Sequence, residues 1–268
     1  MNKKKATEIP QFLGEKKRLD AKKMARQVSL EIALLGITDI FDVIEEKALL
    51  IKSPYKNSEG KARFSGFCSY IDNHFVVFIN SAYSLGHQRY TAAHELYHVY
   101  FDTEKLKKNK LLKRDDNSNE ELAQTFAAEL LMPEDRLKSS FLEEVGSKEM
   151  DVYHTIRLHQ TFKVSYRAMV TRCLELGLIN EKAYLKLTEY GTIENKELLQ
   201  TLTKESGYKI DLLLATNERY VSRKFVDFAI DNFSNNKISE GRLKSLLEYA
   251  GVENFESIVT KHNKEKNS

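Results

Sequence analysis

Apolar residues recur at helical spacing over residues 17–35, where Ala21, Met24, Ala25, Val28, Ile32 and Leu35 mark one face and Gly36 ends the run. A shorter helix is predicted over 40–47. Three β-type runs follow, at 48–55, 62–71 and 74–80, and the last two flank Asp72-Asn73, residue types suited to a two-residue hairpin turn. Together they predict a small antiparallel three-stranded sheet. From there on the periodicity is helical: a helix ending near Phe101, a second opening at Asn119, a third over 134–145, and then 150–162, 164–176 and 179–190. Ser165 caps the join between the first two of these last three, giving a helix-turn-helix-like unit. Beyond Gly191 the pattern loosens into helical stretches at 192–207, 217–233, 238–249 and 253–261. The fold class expected is α+β and mostly helical. Residues 1–16 form a loosely held lead-in, 17–190 the main domain with the helix-turn-helix-like segment at about 150–190, and 191–268 a helical accessory domain.

Composition narrows the function classes. At 268 residues with 41% hydrophobic and 30% charged residues, the chain can bury a sizeable core and keep a solvated surface. No run of eighteen apolar residues occurs, and no apolar segment follows Met1-Asn2-Lys3-Lys4-Lys5, so a membrane span and a secretory signal are not expected and a cytoplasmic location is. Cys68 and Cys173 lack metal-type spacing and read as reduced, buried thiols. A net charge of +3 is too small to argue for nucleic acid by itself. Lys105, Lys107, Lys108, Lys110, Lys113 and Arg114 fall in a connecting stretch at 104–118, either a solvated loop or a steering patch for an acidic substrate or DNA.

The chemistry concentrates in Thr91-Ala92-Ala93-His94-Glu95-Leu96-Tyr97-His98. Residues four apart on a helix share a face, so His94 and His98 can hold one metal ion between them. Glu95 lies one position round from that face, suited to a general base beside the ion rather than to a ligand. A catalytic zinc needs a third protein ligand. Downstream, Leu122, Ala123, Phe126, Ala127, Leu130 and Leu131 form an apolar stripe, and Glu120 falls in line with it. An inward carboxylate is costly unless paired or bound to a metal, which makes Glu120 the third-ligand candidate. Glu121 points to the polar side with Thr125 and Glu129 and forms a capping box with Ser118.

Other residues are candidates for supporting roles. Asp102, one turn past His98, either hydrogen-bonds that ring or ends the helix in solvent. Tyr153, His154 and His159 are three open candidates for a donor to a developing oxyanion. Arg167 and Arg172 are the residues of the helix-turn-helix-like unit that could touch nucleic acid, a use the residues do not favour. If the strand at 74–80 lies at the sheet edge, a substrate chain could pair with it; its Phe75-Val76-Val77-Phe78 run more often means core.

The chain resembles the ImmA/IrrE family of metallopeptidases. The resemblance rests on Phe75–Asn80, on Arg89-Tyr90-Thr91-Ala92-Ala93-His94-Glu95-Leu96-Tyr97-His98, on the run from Glu120 through Glu129-Leu130-Leu131-Met132-Pro133, and on Val164-Ser165-Tyr166-Arg167-Ala168-Met169-Val170-Thr171-Arg172, covering roughly residues 25–190. It implies a zincin-like fold, Zn2+ held by His94, His98 and Glu120, and Glu95 as catalytic base. It also implies a substrate, a helix-turn-helix (XRE-type) repressor cleaved to derepress mobile-element or stress genes. Two departures stand out. Tyr97 replaces the usual glycine before the second histidine and is expected to narrow the cleft. Gln124 replaces an Asn or Asp that supports the metal site. The alternatives are a non-proteolytic antirepressor or DNA-binding regulator with a structural metal, and the toxin of a toxin–antitoxin pair.

Overall fold

The computed structural model describes residues 8–62, 64–109 and 117–252. In chain order it runs α1 (Glu15–Leu35), α2 (Ile40–Lys47), β1 (Leu49–Ser53), β2 (Gly66–Ile71), β3 (His74–Asn80), α3 (Leu85–Phe101), α4 (Thr103–Asn109) and α5 (Asn117–Leu131). Next come α6 (Glu134–Glu144), α7 (Val152–Phe162), α8 (Tyr166–Glu175), α9 (Glu181–Tyr190) and α10 (Lys196–Glu205), then β4 (Tyr220–Val221), α11 (Arg223–Ser234) and α12 (Glu240–Tyr249). The α+β, mostly helical reading holds. No helix of the described residues is long and apolar enough to cross a membrane. Lys110, Lys113, Arg114 and the stretch expected at 253–261 lie outside the described residues, as does the Ser118 side chain of the expected capping box.

The sheet differs from the expectation in two ways. It has four strands in the order β2-β3-β1-β4, and it is mixed: β2 and β3 form the antiparallel hairpin, but β1 runs parallel to β3. The hairpin turn is as predicted, with Asp72 and Asn73 both at positive φ (46° and 66°), which the strand twist favours. Because the hairpin sets β3 against β1, β3 is interior, and the edges are β2 and β4. The fourth strand is two residues of a distant segment, too short to show periodicity.

Helix α3 is the central element. Ala92, Ala93 and Leu96 are fully buried and join Leu50, Val77 and Ile79 of the sheet and Ala123, Phe126 and Ala127 of α5 in one core. Ala21, Ala25 and Val28 set α1 against the outside of α5. Tyr97 belongs to this core, with its ring against Phe101 and Phe126 and itself 3% exposed. It therefore does not narrow the cleft: one residue before His98 is about 100° round the helix, which places Tyr97 on the Ala93–Phe101 side. A second core gathers the end of α5 with α6 to α10, and Ala229, Leu243 and Leu247 form a small third core between α11 and α12.

Leu199 of α10 sits in the second core. The segment after α10 then clamps the start of α3: the Leu85 amide donates to the Leu214 carbonyl (2.8 Å), the Asn217 amide to the Ser81 carbonyl (2.9 Å), and Gln88 Nε2 to Thr216 Oγ1 (3.2 Å). The first part of the helix expected at 217–233 is instead extended, as β4, and α11 begins at Arg223. The basic stretch after Asp102 is likewise not all loop, since α4 forms there and buries Leu106 completely.

The helix-turn-helix-like unit is present as α7 and α8. Ser165 Oγ accepts from the Ala168 amide at 3.2 Å, the predicted cap. Its turn docks on the first turn of α3, where a Cβ on Gly86 would lie 2.7–2.8 Å from the backbone of Val164 and Ser165, so only glycine permits the approach. Arg172, a sequence candidate for nucleic-acid contact, is buried at 2% exposure. Its guanidinium pairs with Glu129, donates to Glu175 Oε2 at 2.7 Å and reaches the Met132 carbonyl at 3.3 Å. Glu129 is thus inside the protein, not on the polar side with the exposed Glu121.

Burial pushes His159 down to about 4, opposed by its Nδ1 hydrogen bond to the Val164 carbonyl (3.1 Å). The unfolded chain therefore takes up this proton first as pH falls from 6.5 towards 4, so the stability tied to neutral His159 is lost across that window. Urea melts at pH 7 and pH 5 are expected to differ by about 2 kcal/mol on this account, and His159→Asn to shrink the difference.

Candidate metal centre

Three donors from two helices meet at one point. His94 and His98 lie one turn apart on α3, and Glu120 comes from the first turn of α5. His94 Nε2 and His98 Nε2 are 3.4 Å apart, His94 Nε2 and Glu120 Oε2 3.3 Å, and His98 Nε2 and Glu120 Oε1 3.5 Å. A tetrahedral zinc with bonds of about 2.0–2.1 Å sets its ligand atoms about 3.3–3.4 Å apart. The spacing therefore fits zinc. Among the described residues this is the group of histidine and carboxylate side chains gathered closely enough to hold an ion. Glu120 is part of it and Glu121 is not.

Asp102 resolves the alternative left open for it. It ends α3 at 4% exposure, and its Oδ2 lies 2.8 Å from His98 Nδ1. A carboxylate only accepts, so Nδ1 carries the proton and the Nε2 lone pair is left facing His94 and Glu120. The other oxygen, Oδ1, accepts from Asn119 Nδ2 at 2.7 Å and lies 3.7 Å from Lys105 Nζ. Asn119 immediately precedes Glu120, so one carboxylate orients His98 and ties the two donor-bearing helices together. Asp102→Ala is expected to weaken zinc binding about 10- to 100-fold, read by competition with a chromophoric chelator.

Glu95 is buried (6% exposed) and faces the sheet. A Cβ on Gly66, the first residue of β2, would lie 3.4 Å from Glu95 Oε1 and 2.6–2.7 Å from Thr91 Cγ2 and the Phe78 carbonyl. Gly66 lets α3 and β2 close up around Glu95, and the edge strand on this side of the sheet is β2, not β3. The thiol of Cys68 on β2 is pushed up, first by burial and then by the charges of Glu95 and Asp102, which keeps it protonated. Cys68 and Cys173 are both buried and unpaired, as expected.

The sequence candidates for an oxyanion donor make their contacts elsewhere. His154 closes a capping box with Asp151 at the start of α7, His159 is wholly buried against Val164 and Tyr166, and Tyr153 is exposed. Gln124 is exposed, and its main-chain carbonyl accepts from the Tyr90 hydroxyl at 2.8 Å. Asn119 and Gly66 were missed from the sequence. A polar residue at a helix start and a glycine at a strand start carry no signal until the neighbouring element is placed.

A family model described as the IrrE N-terminal-like domain, Peptidase_M78, matches residues 45–174. Residues 45–174 therefore form a domain of the ImmA/IrrE metallopeptidase family. The matched span holds all of α3, Asp102 and Glu120, so the family assignment and the donor cluster rest on the same part of the ImmA/IrrE fold. It begins inside α2 and ends inside α8, leaving α1 and everything from α9 onwards outside the match. No curated protein is similar enough to this chain to count as a match.

Proposed function

We propose that this chain is a zinc-dependent endopeptidase whose substrate is a helix-turn-helix repressor, cleaved to derepress mobile-element or stress genes. The observation that carries the peptidase part is the triangle of donor atoms 3.3–3.5 Å on a side, with a buried glutamate on the neighbouring position of the same helix. The repressor substrate rests on the family resemblance.

His94, His98 and Glu120 would hold the zinc, and Asp102 keeps His98 in the tautomer that can bind it. When bound, zinc supplies the Lewis acidity that makes water a nucleophile near neutral pH. Glu95 accepts the proton of the attacking water and passes it to the departing amine nitrogen. Its position between α3 and Gly66 shields the carboxylate from bulk water. Glu120 and His94 are the more open members of the set, with side chains 32% and 15% exposed, so a peptide reaches the centre from their side.

The test combines metal analysis with cleavage of the helix-turn-helix repressor encoded beside this chain. One zinc per chain and two defined repressor fragments are expected, with both lost in His94→Ala. Release of intact repressor in proportion to added protein would replace this reading by antirepression through binding. Growth arrest on expression without any repressor cleavage would favour the toxin reading.

A further inference from the structure

A groove of about 800 Å3, within the range that ligand sites span, has Tyr90 and Gln124 in its lining, each one helical turn from a donor of the metal centre, and none of the three donors themselves. Its walls come from residues 10–17, the first turns of α3, the exposed side of α5 and the outer face of α8. We infer that this groove is a substrate subsite of the proposed peptidase, and that α8 selects in it an apolar side chain two or three residues from the scissile bond. This rests on the endopeptidase reading.

Continuity with the centre follows from helix geometry. Tyr90 and Gln124 both line the groove, and the Tyr90 hydroxyl donates to the Gln124 carbonyl. His94 is one turn after Tyr90 and Glu120 one turn before Gln124, so the Tyr90–Gln124 layer sits about 5 Å from the donor layer. Ala128, a further turn along α5, is about 11 Å from it. An extended peptide advances about 3.3 Å per residue, so its second and third residues from the scissile bond lie along this stretch.

The lining sets the chemistry. Ala128, Ala168 and Thr171 leave room where larger side chains would fill it. The charges at the floor are engaged with one another, Arg172 with Glu129 and Glu175. Phe12, Leu13 and the Tyr90 ring add to its apolar surface, which exceeds the polar share that Lys16, Glu121 and Arg167 contribute, so the groove favours an apolar side chain.

The same arrangement explains the helix-turn-helix-like unit. A DNA-reading helix must enter the major groove with its outer face leading. Here the outer face of α8, with Arg167, Ala168 and Thr171, is turned towards α5 and residues 10–17, and the preceding turn is pressed on Gly86. The unit serves as a wall of the groove.

The full-length zinc-loaded chain is incubated with a mixed-sequence peptide library, and cleavage sites are read by mass spectrometry. Wild type is expected to enrich bulky apolar residues two or three positions from the cut on one side. Thr171→Phe, which fills the groove, is expected to reduce that enrichment about tenfold or more, leaving zinc content and the preference next to the cut unchanged. Thr171→Leu is a milder filling for use if the phenylalanine variant loses its cooperative melt. An unmoved preference in a folded, zinc-loaded filling variant overturns the subsite while leaving the peptidase reading intact. No zinc-dependent cleavage of library or repressor by wild type overturns both. Salt-dependent duplex DNA binding that is lost in Arg167→Glu would overturn the assignment of α8.

Discussion

Glu95→Gln is expected to lower peptide-bond cleavage by about 10²- to 10⁴-fold, the contribution of a positioned general acid–base group, with zinc content unchanged. Glutamine matches the volume of glutamate and keeps an oxygen towards Gly66, so the close packing of α3 on β2 survives. What is lost is the capacity to take a proton from water and deliver it to the leaving nitrogen. The donor triangle does not include Glu95, which is why metal content and activity separate in this variant and fall together in His94→Ala. Single-turnover cleavage alongside zinc analysis checks the point. A glutamine variant that cuts at the wild-type rate would place the base elsewhere.

Arg172→Met is expected to destabilise the fold by about 3–5 kcal/mol, measured by urea unfolding, because it strands buried carboxylates without their cation. Arg172 and Glu129 are 2% and 8% exposed, and the Glu175 side chain is 6% exposed, so water cannot take over the lost hydrogen bonds. The guanidinium joins α8 to α5 through Glu129 and the Met132 carbonyl, and Glu129 Oε1 in turn accepts from the Glu134 amide at the start of α6. Replacing both glutamates by glutamine in the same background is expected to recover part of the loss, since the cost lies in the unpaired charge. Arg172→Lys should fall between, keeping the charge but not the planar fork that serves two carboxylates at once. An Arg172→Met variant as stable as wild type would mean that the network is open to solvent.

The elements that bear the chemistry were legible because they are local. His94, Glu95 and His98 announce themselves by spacing on one helix, and the Asp72-Asn73 turn and the Ser165 cap are set by residues next to one another. Glu120 was legible for a different reason, since its line with Ala123 and Ala127 placed a carboxylate on a buried stripe. Misreadings came where a side chain's surroundings are supplied by a distant segment. Tyr97 leaves the cleft because Phe126 of α5 receives its ring, and Arg172 is closed to nucleic acid because Glu129 of α5 pairs with it. The strand at 74–80 is interior because it pairs in parallel with β1, a partner separated from it in the chain by the whole of β2, and such pairing leaves no local signal. The helix expected from 217 starts late because residues 211–222 are held by backbone hydrogen bonds that leave no trace in side-chain periodicity.

By itself, then, the amino-acid sequence determined the helix with its two histidines and glutamate, the candidate third donor, and the α+β class, because helical spacing and burial of apolar faces are properties of neighbouring residues. Only the tertiary structure decided that Asp102 and Asn119 bind the two donor-bearing helices together, that Gly66 and Gly86 admit close backbone approach, and that the outer face of α8 borders a groove one helical turn from two of the metal donors. Those features depend on which segments meet across long separations in the chain, and shape and hydrogen bonding between such segments exist only once the core has closed.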